Sequence, residues 1–447
     1  MNGRGRPRRL RRALVALAVL AALVLLVGAG LYGLVQWRLG QEREGLGHVQ
    51  APSAPETLEA ASGSTGRFSA HVEFTSMAAP SDARVSTDMT WDDDWFFADP
   101  TEYNHELATA CSVLSCIANS ESDYYQAGSG APAYMENALA ALGFTDVSTA
   151  SYEYRSEVLD EVVNFLTNSN DVTAYTIASK RVTSSETGQT KTLLLVSVRG
   201  SYGSEWISDA NMGNPEDLEM LEGDHEGFAE PAQEIVEQLQ SRVTQLAEQG
   251  VTTDDVALLF CGHSRGGATA NVAAAYADDW ADSLRPLASA SSIWCYAFAV
   301  PRCTGMPNAH DAMYDNIFNV LNPSDIVPRL PLASWGYGRY GRDLWLPAQG
   351  TASFEASYDE MRRHFEANVG VESPYDPGDV ATVDDFERKA EHDLPTRASL
   401  ASAGGMAALV KSLALDMDVM RVLYGHYPNT YIAWMQAIDA GGLTTGR

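Results

Sequence analysis

Residue types and spacing put the most reactive chemistry of this chain at Gly262-His-Ser-Arg-Gly266. An apolar run, Val256–Cys261, enters this turn, and a small-residue run, Gly267–Ala275, leaves it. A strand that turns abruptly into a helix holds the intervening serine on a strained elbow with its hydroxyl projecting into a site. The spacing makes Ser264 the nucleophile, with Gly262 and Gly266 as the elbow glycines that relieve crowding at the junction. A hydroxyl is a poor nucleophile without a base, and the base needs a carboxylate to fix its tautomer. Acyl transfer also needs N–H donors for the developing oxyanion. Arg265, the residue after the serine, supplies one of them. The other belongs at the end of an earlier strand, where Arg199-Gly-Ser201 follows the apolar run Leu193–Val198; Ser201 can offer both an N–H and a hydroxyl there.

At such elbows the acid and then the base follow the nucleophile along the chain. Asn316–Leu321 reads as a strand, and Asp325 lies just beyond it, where open α/β sheets build their sites. On position alone, an ordinary turn aspartate is the competing reading. Three histidines follow. His364 is flanked by Arg362 and Arg363 on an exposed-looking helix, and His392 sits in the charged run Glu387–Asp393. His426 lies in Tyr424-Gly-His-Tyr-Pro428, a Gly/Pro loop among aromatic residues that limits water, and it is the best base. Two further histidines are only neighbours in sequence: His263 is expected to point away at the elbow, and His225 opens the preceding helix.

These groups need a scaffold that brings strand ends to one edge. Strands are expected at Phe68–Phe74, within Arg84–Phe97, at Val172–Val182, Lys191–Val198 and Val256–Cys261, near Ile293–Val300, and at Ile317–Leu321. Helical spacing appears over Leu107–Ile117, Ala133–Leu142, Val158–Leu166 and Phe228–Leu246, the last ended by Gly250. This alternation predicts an α/β fold with a mostly parallel central sheet flanked by helices. The Asp92-Asp93-Asp94 triplet reads as a solvated acidic loop and not as a metal site. The five cysteines match no zinc or CxxC spacing; Cys261 reads as a packed thiol, and Cys295–Cys303 or Cys111–Cys116 are the possible bridges.

Several blocks in register resemble the class 3 (fungal-type) lipase family. They are Arg199-Gly-Ser201 with Glu205-Trp-Ile-Ser-Asp209, His225-Glu-Gly-Phe228, Gly262-His-Ser-Arg-Gly-Gly267, and Asn322-Pro-Ser-Asp-Ile-Val-Pro-Arg-Leu-Pro331. The upstream Tyr103-Asn-x-x-Leu-Ala108 and Leu142-Gly-Phe144 pieces are similar to those of bacterial, membrane-anchored relatives. The resemblance implies an α/β-hydrolase fold with Ser264 as nucleophile, Asp325 as acid, and Ser201 with Arg265 as oxyanion donors. It bears least on the histidine, so His426 rests on the argument above. The interval from Asp325 to His426 is long for the family and leaves room for a helical cap over about 352–420. A lid commonly follows the oxyanion strand in the family. Here Trp206–Asp224 is acidic, which leaves triacylglycerol lipase, soluble-ester carboxylesterase and lysophospholipase all open.

The chain begins with six arginines, Arg4, Arg6, Arg8, Arg9, Arg11 and Arg12, followed by an uncharged apolar run from Ala13 to Val35. A helix of that length spans about 35 Å, enough for a hydrocarbon core of ~30 Å. The expected organisation is a cytoplasmic basic tail (1–12), a transmembrane signal anchor (13–36), a flexible tether (37–66) and the hydrolase domain (67–447). The arginines place that domain outside the cytoplasm; Gly28-Ala-Gly30 offers a cleavage site that would make it secreted instead. Of 30 basic residues six are these arginines, which leaves 24 against 59 acidic ones. That balance argues against nucleic acid and against docking on anionic lipid. The expected partners are a lipid or small ester substrate and the cell membrane through the N-terminal helix; no protein partner is predictable, and the chemistry calls for no cofactor and no metal ion. The reading from another class is a non-catalytic envelope protein that uses a hydrolase scaffold for binding. Its mark would be a missing triad member or elbow glycine, and none is missing.

Overall fold

In the computed structural model, residues 64–79, 83, 85–125, 132–152, 173–200, 223–396, 398–399 and 419–446 are described. The apolar run 13–36, the expected helix Val158–Leu166, the acidic stretch up to Glu222 and Ser201 lie outside them. Among the described residues no helix is long and apolar enough to cross a membrane.

Three strands buried along their whole length, Val256–His263, Ile293–Phe298 and Ile317–Leu321, lie at the middle of the main sheet. β5 (Thr190–Val198), β6 (Val256–His263), β7 (Ile293–Phe298), β8 (Ile317–Leu321) and β9 (Arg342–Trp345) pair in parallel in that order. The near-continuous apolar sequences of β6, β7 and β8 suit strands covered on both faces, whereas β9 is mostly half-buried. Antiparallel strands extend both edges: β4 (Tyr175–Thr183) and then β3 (Thr145–Ala150) beside β5, and β10 (Thr444–Gly446) beside β9. The hairpin expected from the two runs around Ser184–Gln189 is β4–β5, with Tyr175 opposite Val198. A separate two-stranded sheet is formed by β1 (Arg67–Phe74) and β2 (Val85–Asp92).

Alternation along β6 sorts the two cores. Val256, Leu258 and Phe260 pack with helices α3 (Glu226–Glu248) and α4 (Arg265–Ala281). Ala257, Leu259 and Cys261 pack on the other face with α1 (His105–Tyr125), α2 (Tyr134–Ala141), α5 (Ala352–Val369), α7 (Pro428–Ala437) and the β1–β2 hairpin. The segment read as a helical cap divides in two. Phe354, Met361, Phe365 and Val369 of α5 lie in this second core, whereas α6 (Asp379–Asp393) packs Val383, Phe386 and Ala390 against Ile326, Val327 and Leu330. Residues 400–418 lie outside the described residues.

Three local expectations are corrected. Asp93 of the acidic triplet is buried, not solvated: it pairs with the equally buried Lys180 at 3.1 Å and accepts from Trp91 Nε1 and the Gly66 N–H. The Lys180 ammonium also donates to the Ser64 and Leu142 carbonyls, so the last residues of the presumed tether pack into the globule. Neither suggested disulfide forms, because all five thiols are free and buried among other partners. Cys111 and Cys116 lie five positions apart on one helix; Cys111 meets Cys261 while Cys116 meets Asn429. Cys295 faces the Ala270 carbonyl, and Cys303 faces Asn271.

Candidate active site

The C-terminal ends of four parallel strands come level at one edge. Val198 lies beside Gly262, His263 beside Phe298, and Phe298 beside Val320. Chain leaving β6 must turn at once into α4, and Ser264 does so at φ 58° and ψ −128°. That left-handed conformation costs a non-glycine residue about 1–3 kcal/mol. It is held by the Ser264 N–H bond to the Phe298 carbonyl, 2.8 Å, and by the Ala268 N–H bond back to the Ser264 carbonyl, 3.0 Å. The elbow glycines are required by close approach. A Cβ on Gly262 would meet the Gly266 carbonyl oxygen at 2.3 Å, and one on Gly266 would meet the Val198 carbonyl oxygen at 2.4 Å. The nucleophile turn is therefore pressed directly onto the end of β5.

His426 reaches this elbow from the short turn Leu423–Gly425 that precedes α7. Its Nε2 lies 2.9 Å from Ser264 Oγ, and its Nδ1 lies 2.7 Å from Asp325 Oδ2. An ionised carboxylate can only accept, so Nδ1 carries the proton and Nε2 turns a lone pair toward the serine hydroxyl. The ring is 7% exposed and Asp325 is 0% exposed. Asp325 also accepts from the Tyr431 hydroxyl at 2.8 Å and, on Oδ1, from the Val327 N–H at 2.9 Å. Asn322 joins the two loops: its carbonyl receives the Asp325 N–H, its Oδ1 receives the Ser324 N–H, and its Nδ2 donates to the Gly425 carbonyl at 2.8 Å. Its own N–H donates to the Tyr431 oxygen at 2.9 Å, which leaves the phenolic proton for Asp325. Burial first, and then the Asp325 charge, push the Tyr431 phenol well above its ordinary range.

The structure thus brings Ser264, His426 and Asp325 into one hydrogen-bonded chain. It keeps the other two histidines out of that chain: His364 faces Glu360 on α5, and His392 is an exposed neighbour of Asp393. Arg265 follows Ser264 directly and is the first residue of α4, so its backbone N–H lies at the N-terminal end of that helix. Ser201 is outside the described residues. The Gly200 N–H just before it is fixed to Asn119 Oδ1 at 2.7 Å.

One expectation about the site is reversed. His263 does not point away: its ring lies 4.8 Å from that of His426 and 5.5 Å from that of Tyr431. The reason is strand alternation. His263 shares its face of β6 with Ala257, Leu259 and Cys261, and that face carries α7 and the loop before it. Burial, and then the nearby His426 ring, push His263 well below the ordinary histidine range, against a hydrogen bond to the His426 backbone that works the other way. His263 is therefore a neutral ring packed on the candidate base. Sequence reasoning also missed Tyr431 and Asn322. Asn322 lies in a quoted block, but no periodicity marks Tyr431 as a partner of Asp325.

Residues 195–335 match the family described as Lipase (class 3). A secreted mono- and diacylglycerol lipase 1 of Fusarium solani is 31% identical over 163 residues, which cover 34% of this chain and 44% of that protein. The chain thus spans less than half the length of this curated relative. Among solved structures, the Rhizomucor miehei lipase in its propeptide complex is 20% identical, with 67% of this chain and 86% of that chain covered and a TM-score of 0.35. A triacylglycerol lipase described as having a serine protease triad at its catalytic centre is also 20% identical, with 55% and 82% covered and a TM-score of 0.34.

Proposed function

We propose that this chain, whose residues 195–335 match the class 3 lipase family, is a serine hydrolase that cleaves carboxylic esters of lipids through an acyl-enzyme. The observation that carries this reading is the continuous chain from Ser264 Oγ through the His426 ring to the buried Asp325. As Ser264 Oγ bonds to the acyl carbonyl carbon, its proton passes to His426 Nε2, and the imidazolium is held by Asp325. The carbonyl oxygen takes the negative charge, with the backbone N–H of Arg265 as one donor and Ser201, by the family resemblance, as the other. The C–O bond to the alcohol then breaks, and the departing oxygen takes the proton from His426. Water then takes the place of the alcohol: it gives a proton to His426, its oxygen bonds to the acyl carbon, and the bond to Ser264 breaks as Oγ takes that proton back from His426 Nε2. The products are the alcohol and the carboxylic acid. Neutral His263 suits this cycle, since a second cation beside His426 would oppose its protonation.

The mono- and diacylglycerol activity named for the Fusarium relative is consistent with a lipid acyl ester as substrate. The N-terminal arginines and apolar run support an extracytoplasmic hydrolase tethered to the membrane. A fluorophosphonate probe applied to the full chain tests the catalytic reading. Labelling should vanish in Ser264→Ala and collapse in His426→Ala, each with ester hydrolysis lowered by about 10⁶. Normal labelling of His426→Ala would overturn the assignment of the base, and a folded wild-type protein that neither labels nor hydrolyses esters would overturn the hydrolase reading.

A further inference from the structure

The six residues after Asp325 are held by an unusual concentration of positive charge. Arg339 donates Nε to the Val300 carbonyl at 2.7 Å and Nη2 to the Pro328 carbonyl. Arg302 donates Nη1 to the carbonyls of Arg329 and, at 2.8 Å, Pro331. The side chains of Arg339 and Arg302 are only 3% and 12% exposed, so water screens their mutual repulsion poorly. Burial and Arg339 push Arg302 below its ordinary range, and Glu387 opposes them. Asp343 pairs with Arg339 at 2.8 Å. The remaining two guanidiniums are bridged from α6, which lies beyond the residues that match the family.

We infer that Glu387 is a positioning residue for Asp325, acting by clamping Arg302 and Arg329 around the loop that carries the acid; this rests on the hydrolase reading above. The Glu387 carboxylate receives Arg302 Nη2 at 2.9 Å and Arg329 Nη1 at 3.2 Å. Val383, Phe386 and Ala390 of the same helix pack on Ile326, Val327 and Leu330. The loop therefore has one apolar and one ionic attachment to α6. Movement of the loop is felt at the acid itself, because the Val327 N–H bonds Asp325 Oδ1 at 2.9 Å. Without the Glu387 charge the two arginines repel each other across the loop, and Asp325 loses the placement that orients His426. Asp384 pairs with Arg329 at 3.1 Å and is 55% exposed, so it carries little of this load.

Hydrolysis of a short-chain p-nitrophenyl ester and the rate of fluorophosphonate labelling, both measured on the full chain, test the assignment. Glu387→Gln should lower kcat and the labelling rate about tenfold with KM within about twofold, because misplacement of a catalytic group is a transition-state loss. Glu387→Asp, which keeps the charge, should recover most of the rate. Arg302→Lys should reproduce the loss, since an ammonium lacks the planar fork that serves two carbonyls and a carboxylate together. Asp384→Asn should stay within about twofold of wild type. A Glu387→Gln protein with wild-type kcat, whatever its melting temperature, overturns the proposal, as does a change confined to KM. If Glu387→Gln does not fold, wild-type kcat in Arg302→Lys overturns it instead. A wild-type protein inert to both probes removes the hydrolase reading, and this proposal with it, whereas an active wild type with an equally active Glu387→Gln removes this proposal alone.

Discussion

Asp325 and Glu121 are both fully buried carboxyl groups, and the fold treats them in opposite ways. Asp325 is ringed by donors: the His426 ring N–H, the Tyr431 hydroxyl and the Val327 N–H. Glu121, on α1, accepts the Met135 N–H at 2.6 Å on one oxygen and turns the other toward the carboxyl of Glu136. Burial first, and then Glu136, push Glu121 up to about 11. Two facing carboxyl groups without a cation between them are compatible only when they share a proton. Burial alone therefore does not decide what a carboxyl group does; its partners do. At the first position the partners favour a fixed acceptor that can orient a histidine. At the second they make a proton part of the packing between α1 and α2.

The strongest way to break the comparison is to change what Asp325 can accept. Asp325→Asn keeps the shape but presents an amide that can donate to His426 Nδ1, which favours the tautomer with its proton on the nitrogen facing Ser264. We expect kcat to fall by about 10⁴ with KM little changed; a loss under tenfold would show that Asp325 does not set the tautomer. Tyr431→Phe removes one donor of three and should lower kcat about tenfold. If KM rises while kcat holds, Tyr431 belongs to substrate binding and not to the support of Asp325.

The smallest effect, at Glu121, concerns stability. A carboxyl group whose folded-state pKa lies above its unfolded value binds more protons in the folded state. Its contribution is complete below the unfolded value, here 4.5, and declines as pH rises until the pair gives up its proton near 11. Glu121→Gln supplies a permanent amide donor to Glu136, so the melting temperature should depend less steeply on pH across roughly pH 5 to 9 than in the wild type. Parallel curves for the two proteins would argue against the shared proton.

Sequence alone was most informative where structure is local. The elbow could be read because an apolar strand, two close-packed glycines, the serine and a small-residue helix are contiguous, and each imposes its own backbone geometry. Asp325 was nearly as accessible, since it follows β8 by four residues and Pro323 ends the strand pattern. His426 was singled out only by comparing three loops, and its meeting with Asp325 joins residues 101 positions apart. Other contacts left no local trace. His263 faces the candidate base because the parity of β6 is set by which helices cover each side of the sheet. Asp93, in the turn after β2, is buried with Lys180, which arrives from β4 to pair with it. Arg302, Arg329 and Glu387 looked like ordinary charged residues until strand order brought the end of β7, the acid loop and α6 together. Hydrophobic period and turn chemistry are properties of neighbouring residues, and so the sequence by itself determined the α/β alternation, the elbow and the edge at which the acid stands. Which polar groups meet at that edge depended on the order in which strands and helices pack, and only the tertiary structure could decide it.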